Sequence, residues 1–406
     1  RVINDPVSQE SSMKKRISVA ASLLMLSLIM LTGCTTTQVV TDNSTPATQA
    51  AELIPYDELL DIGILPVDSN IPKDLAQIEK KLIVPDVRRA ESSYISYQLK
   101  DTLELTGNWG AVRVTPESSK SVDLELQGKI LESDGEQLKV LMRATDARGK
   151  VWFERTYEDV ASRFSYEKPK EDPFQDLYND IANDLLGTRE GLSREQLLEI
   201  KTVASLKFAS DLAPDAFAGY LEEPNRGQVK VVQLPAETDS MMQRVARIKE
   251  QEYLFVDTLD DYYSRFYRDM KPSYDEWRHA TYDEAIRLRE VQRQSKTRLL
   301  TGVGLIAVGI AAGSESNSWA TDAAAAGAVI GGIGAIKSGL QRRKEAEIHA
   351  ESLRELSQSL GTEITPYVLD IEGRTIELTG TAQEQYVQWR KLLREIYAQE
   401  TSIPSQ

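Results

Sequence analysis

The chain has 406 residues, with 48 Lys and Arg against 63 Asp and Glu, a formal charge of −15, two histidines and one cysteine. Such an excess of acid disfavours a general nucleic-acid role, because phosphate binding needs basic surface. One cysteine excludes an internal disulfide, so burial alone must hold the two or three cored domains that this length allows.

Lys14, Lys15 and Arg16 precede an apolar run from Ile17 to Leu31, which ends in Leu31-Thr32-Gly33-Cys34. A basic segment, a short apolar segment and small residues at a cleavage point describe a secretory signal peptide over 13–33, too short and wrongly flanked to span a bilayer. Met13 is then the expected start, and residues 1–12 an untranslated or non-native extension. The Leu31-Thr32-Gly33-Cys34 sequence resembles the lipobox of bacterial lipoproteins. That resemblance implies cleavage between Gly33 and Cys34, a diacylglycerol on the Cys34 thiol, an N-acyl chain on the new terminus, no other cofactor, and a membrane as partner. Thr35, in place of aspartate, implies by the sorting preference of enterobacterial lipoproteins the outer membrane, facing the periplasm. Thr35 to Ala51 lacks apolar periodicity, and 34–58 is expected to be a flexible tether.

Overall the pattern predicts an α+β protein. Residues 59–190 read as an α/β domain. Ile62 to Val67 is a buried strand, Val87 to Thr106 a helix with Ala90, Tyr94, Tyr97 and Leu103 on one face, and Val112 to Thr115 a short strand. An antiparallel meander follows, with Leu124, Leu126 and Ile130, then Leu138, Val140 and Met142, then Val151 and Phe153 pointing inward. Its turns are Ser133-Asp134-Gly135-Glu136, where glycine offers a positive φ, and Asp146-Ala147-Arg148-Gly149. A helix over Pro173 to Leu186 is expected to cover the meander. The order strand, helix, strand, meander resembles the periplasmic domains of outer-membrane lipoproteins such as the curli secretion channel family and the penicillin-binding-protein activators.

Residues 191–274 read as helical. Ser193 and Gln196 fit a capping box ahead of Leu197, Val203, Leu206 and Leu212. Val229 to Val232 is strand-like, and a second helix runs from Asp239 to Asp269. Tyr253, Phe255, Tyr262, Tyr263, Phe266, Tyr267, Tyr274, Trp277 and Tyr282 crowd its end. Aromatic residues at this spacing are more often a helix-helix core than a surface that stacks sugars.

Residues 275–360 predict a long antiparallel helical hairpin with charged stems and an apolar tip over 299–340. The first arm holds Gly302, Gly309 and Gly313; the second holds Ala323, Gly327, Gly331, Ala335 and Gly339 at strict four-residue spacing. Glycine costs about 1 kcal/mol against alanine in a helix, so close backbone packing must repay it, as in membrane helices. The first arm is only about 22 Å long against a hydrocarbon core of about 30 Å, while the second is long enough to cross. Insertion, alone or as part of an oligomeric ring, a dry helix interface within the protein or between subunits, and a flexible loop therefore all stand. Gly331 to Ser338 superficially matches a phosphate-binding loop, but Ile336 occupies the position that needs glycine, so no nucleotide is expected.

Residues 361–400 form a ββα module: strands Tyr367 to Ile371 and Thr375 to Thr379, a turn at Glu372-Gly373-Arg374, and a helix carrying Tyr386, Trp389, Leu392, Leu393 and Ile396. Ile376 to Ala382 resembles the end of a BON domain, and the module also reads as a plain packing subdomain. His279 and His349 lie on the predicted stems among charges, where solvated histidine is the default. No nucleophile elbow or zinc helix motif occurs, so neither a catalytic residue nor a metal ligand is assigned. The reading is a non-catalytic envelope lipoprotein that self-associates through the hairpin in assembly or secretion. Its alternative is a monomeric module tethering a partner protein or peptidoglycan to the outer membrane.

Overall fold

A computed structural model describes residues 45–312 and 348–401, apart from 82, 168, 224–227, 237, 353, 357, 359–363 and 372–373; over 291–312 it describes the backbone path. The fold is α+β, as its sequence pattern predicts. Strand β1 (Ile62–Ile64) lies between β2 (Val112–Val114) and β3 (Leu124–Ser133), parallel to both. Antiparallel strands β4 (Gln137–Asp146) and β5 (Val151–Val160) complete the order β2-β1-β3-β4-β5. Every residue of the Ile-Gly-Ile strand β1 is buried, which is what a central parallel strand covered on both faces requires.

Two short helices, α1 (Leu75–Lys80) and α3 (Arg163–Glu167), lie in connections, while α2 (Pro85–Thr106) and α4 (Gln175–Glu190) pack on the sheet. Leu124, Leu126, Ile130, Leu138, Val140 and Met142 all point into this layer, as their alternation predicts. Val151 does not: it is 38% exposed, because the β4–β5 register shifts between Ala144 and Thr145 and the alternation changes phase there. Phe153 and Tyr157, beyond the bulge, pack inward. The opposite face stays polar, with Arg143 against Glu154 and Lys139 against Glu158.

Helix α5 (Arg194–Leu212) starts with the predicted capping box, both hydrogen bonds present, and carries the chain from the sheet core to a second, helical core. A two-stranded ribbon, β6 (Leu221–Glu222) with β7 (Lys230–Val231), precedes helix α6, Ser240–Ala312. The ribbon β8 (Tyr367–Ile371) and β9 (Arg374–Leu378), then α7 (Ala382–Thr401), close the second core, where Phe255 stacks on Trp389 at 5.0 Å between ring centroids. Helix α2 walls both cores: Ile95, Leu99 and Leu103 face the sheet, and Val87, Ala90, Tyr94 and Tyr97 face the helices.

Three sequence expectations are corrected by this arrangement. Helix α6 is continuous for 73 residues, running through the expected boundary at 274/275 with Pro272 inside it. A proline lacks one backbone donor, but Pro272 points to solvent and its neighbours Met270 and Tyr274 are held in the core. The flexible tether expected over 34–58 does not hold from residue 45 on, because Thr45 and Thr48 donate backbone N–H groups to Asp176 and Asn183 of α4. Gly149 has the positive φ its turn needs, at 83°, whereas Gly135 does not. At Gly135 a Cβ would stand 2.2 Å from the Arg278 carbonyl oxygen and 2.6 Å from the Tyr282 nitrogen. Glycine is needed there so that the β3–β4 turn can touch the backbone of α6.

Candidate functional site

The most elaborate side-chain chemistry lies where α6 is seated on the body. Tyr267, Met270, Tyr274, Arg278 and Tyr282 succeed one another at spacings of three or four, so they fall on one buried stripe. Four of them are apolar or aromatic; the fifth is an arginine with a side chain 1% exposed.

Arg278 donates from Nη1 and Nη2 to the two oxygens of Asp172, at 3.2 and 2.9 Å, and also to Asp275. Its guanidinium lies 4.2 Å from the Tyr274 ring centre, 5.5 Å from Phe174 and 5.6 Å from Tyr94. Burial opposes the charge, but Asp172 and the surrounding tyrosines outweigh it and hold the pKa above the usual guanidinium value. Burial likewise works against ionised Asp172, and the Arg278 charge overcomes it, leaving that carboxyl below its usual range. Asp172 also accepts from the Tyr94 hydroxyl at 2.8 Å and the Phe174 N–H at 2.9 Å. The carboxylate's lone pairs thus meet donors, while Arg278 Nε is buried without a hydrogen-bond partner and faces only the aromatic rings around it, so the pair is fully satisfied on its acidic side alone.

A second carboxylate continues the network. Glu91 of α2 accepts from Tyr274 at 2.9 Å and Ser133 at 2.7 Å, and lies 3.0 Å from Arg88 Nε. Arg88 in turn donates to the Ser133 carbonyl at 3.0 Å, so the network reaches the end of β3. Further along α6, Arg289 pairs with Asp134 at 2.7 Å and with Glu136, gripping the β3–β4 turn. Toward its start, Asp260 pairs with Lys100 at 3.0 Å and accepts the Val114 N–H at 3.2 Å, capping the sheet edge. Buried Glu252 receives Arg390 at 2.8 Å and Tyr386 at 3.1 Å, fixing α7 to α6. The segment before α4 is strapped over the helix: Tyr166 stacks on His279 at 5.4 Å with the rings 7° apart, and its hydroxyl donates to the Gly135 carbonyl.

This seat ends at about Arg289. Beyond it the α6 backbone runs on to Ala312, about 35 Å at 1.5 Å per residue. The chain comes back alongside: Ser352 meets Ser273 at 3.1 Å between hydroxyl oxygens, and Ala350 and Leu356 pack on the helical core.

Of the residues singled out from the sequence, Gly302 and Gly309 lie on α6. Leu31, Thr32, Gly33, Cys34, Gly313, Ala323, Gly327, Gly331, Ala335 and Gly339 lie outside the described residues, as do the Ser314 to Asn317 turn and the second arm. His279 is exposed, and the aromatic run forms core. Arg278 and Asp172 escaped sequence reasoning, although a charged residue on an otherwise aromatic stripe is a usable signal. Among the described residues no group of three His, Cys, Asp or Glu could hold a metal ion, and no helix is long and apolar enough to cross a membrane. Clefts of about 520, 650 and 570 Å³ open at the β3–β4 turn, between α5 and α7, and beside Pro272. Comparison with known proteins finds no matching family model, no matching curated protein and no matching solved structure.

Proposed function

We propose that the protein is a non-catalytic envelope lipoprotein, anchored at the outer membrane through acylated Cys34, that assembles with copies of itself through the Gly/Ala-rich stretch 299–340. The observation that carries this reading is the seat of α6. Ion pairs, aromatic packing and a strap fix the helix up to Arg289, and its backbone then runs about 35 Å further. A helix held so firmly at one end presents its other end at a defined distance from the body, which is what an assembly element requires and a small-molecule enzyme does not. The return contact between Ser273 and Ser352 supports a hairpin. Close approach of small-residue stripes then supplies the contact between copies.

Oligomeric state tests the proposal. Detergent-extracted protein is expected to run as an oligomer in size-exclusion chromatography with light scattering, and Gly327→Leu with Gly331→Leu is expected to return it to monomer. A wild-type monomer sinks the assembly reading and favours a monomeric tether for a partner protein or peptidoglycan. The anchor has its own readout: Cys34→Ala should accumulate as an unprocessed precursor that takes up no labelled fatty acid.

A further inference from the structure

The first described residues lead into a loop with an unusual apex. Ala50 N–H donates to the Thr106 carbonyl at 2.8 Å, and Gly110 N–H donates to the Leu60 carbonyl at 2.9 Å. The intervening residues 51–59 are therefore pinned at both ends to one turn, that between α2 and β2. At the apex Leu53 is 101% exposed and Tyr56 86%, and Leu105, next to the pinning Thr106, is 77% exposed. These are three of the most exposed large apolar side chains among the described residues, gathered about one pinned loop.

Of the three carboxylates in the loop, Glu52 is exposed beside Leu53 and the other two are paired. Asp57 and Glu58 both pair with Arg194, the latter at 3.2 Å, and Glu104 pairs with Lys100 at 3.2 Å. With Glu52 the one carboxylate of the loop left without an ion pair among the described residues, the apex suits headgroups of no net charge better than an anionic surface, which would repel it. Leucine gains by leaving water, and tyrosine favours the boundary where its ring is in hydrocarbon and its hydroxyl in water. Reach fits as well. Ten residues lie between Cys34 and Thr45, where the chain docks on α4, and the eleven residue steps reach at most about 40 Å.

We propose that residues 51–59 form a membrane-contacting loop, with Leu53 and Tyr56 entering the interface of the bilayer to which Cys34 is attached, against zwitterionic phospholipid. This rests on the lipoprotein reading above. With the acyl chains it makes a two-point attachment, which restrains the body where a flexible tether alone would let it tumble.

The test uses the full acylated chain on phosphatidylethanolamine-containing vesicles. With Cys34 acylated, Leu53→Cys or Tyr56→Cys places the one labelled thiol, carrying an environment-sensitive fluorophore, at the apex; Leu234→Cys is the exposed control on another loop. At position 53 or 56, emission is expected to rise at least twofold on vesicles and to be quenched by lipids carrying a nitroxide on the acyl chain, while position 234 responds to neither. Vesicle flotation separates the two ideas. Protein that floats while apex labels escape quenching overturns the loop and leaves the anchor standing. A brightened but unquenched label means the apex is covered by protein, which also overturns it. Protein that does not float overturns anchor and loop together.

Discussion

Arg278 and Asp172 meet with each side chain 1% exposed, whereas Arg143 and Glu154, on the open face of β4 and β5, meet at 3.1 Å with side chains 47% and 50% exposed. The chemistry is the same and the consequence is not. On the sheet, water screens both charges whether or not they touch, and such pairs contribute between zero and about 1 kcal/mol. In the seat of α6 neither charge has water to return to, so each depends on the other. A buried pair of this kind adds little net stability over a well-packed apolar substitute, yet losing one partner is severe. The difference teaches that the seat specifies where α6 docks, while the sheet ladder mainly keeps its face wet.

Breaking the buried pair should therefore have the largest effect. Arg278→Leu is expected to cost about 3–5 kcal/mol, read as a lower urea midpoint at unchanged slope, because Asp172 is stranded. The double variant Arg278→Met with Asp172→Leu should recover most of that loss, and a single variant costing under 1 kcal/mol would place the seat in the same class as the sheet surface. Asp159, at the end of β5, tests the ground between. Burial, with Asp176 nearby, pushes its carboxyl up to about 6 despite the Val160 N–H it accepts. A raised carboxyl pKa means that the folded state binds the proton more tightly than the unfolded state. Its favourable contribution is then complete below about pH 4 and is lost as pH rises through about 6. Asp159→Asn should raise stability by on the order of 1 kcal/mol at pH 7.5 and not at pH 4, by thermal unfolding at both. The smallest effect is expected at the ladder: Arg143→Ala should change stability by less than about 0.5 kcal/mol, and less still in high salt.

Much of the fold was legible because faces are written in periodicity. The inward sets on β3 and β4, the Ser193–Gln196 box and the ββα order all follow from spacing along one segment. What escaped depends on two segments at once. Val151 turned outward because a bulge changes the phase of alternation, and a bulge is set by how β5 pairs with β4. Gly135 looked like a turn glycine, but its reason is a helix more than 140 residues away. The expected boundary at 274/275 is absent, because packing on both sides of Pro272 carries the helix through. Thr45 to Ala50 read as tether because nothing in their composition says that Asp176, Asn183 and Thr106 wait to receive their backbone donors. Arg278 and Asp172 are 106 positions apart, and only folding makes them neighbours. The Gly/Ala stripe, the feature most visible in the sequence, is the one whose partner is proposed to come from another chain.

Helix α2, with one flank in each core, has a thermodynamic consequence. Opening the sheet core strips Ile95, Leu99 and Leu103 of their neighbours; opening the helical core does the same to Val87, Ala90 and Tyr94. Neither core can melt while α2 keeps its full packing, so the two are coupled into one cooperative unit despite their different architectures. The amides of α2 should then exchange with deuterium only by global unfolding, and those of α6 beyond Arg289 through cheaper local openings. The two cores then behave as a single rigid mount for α6.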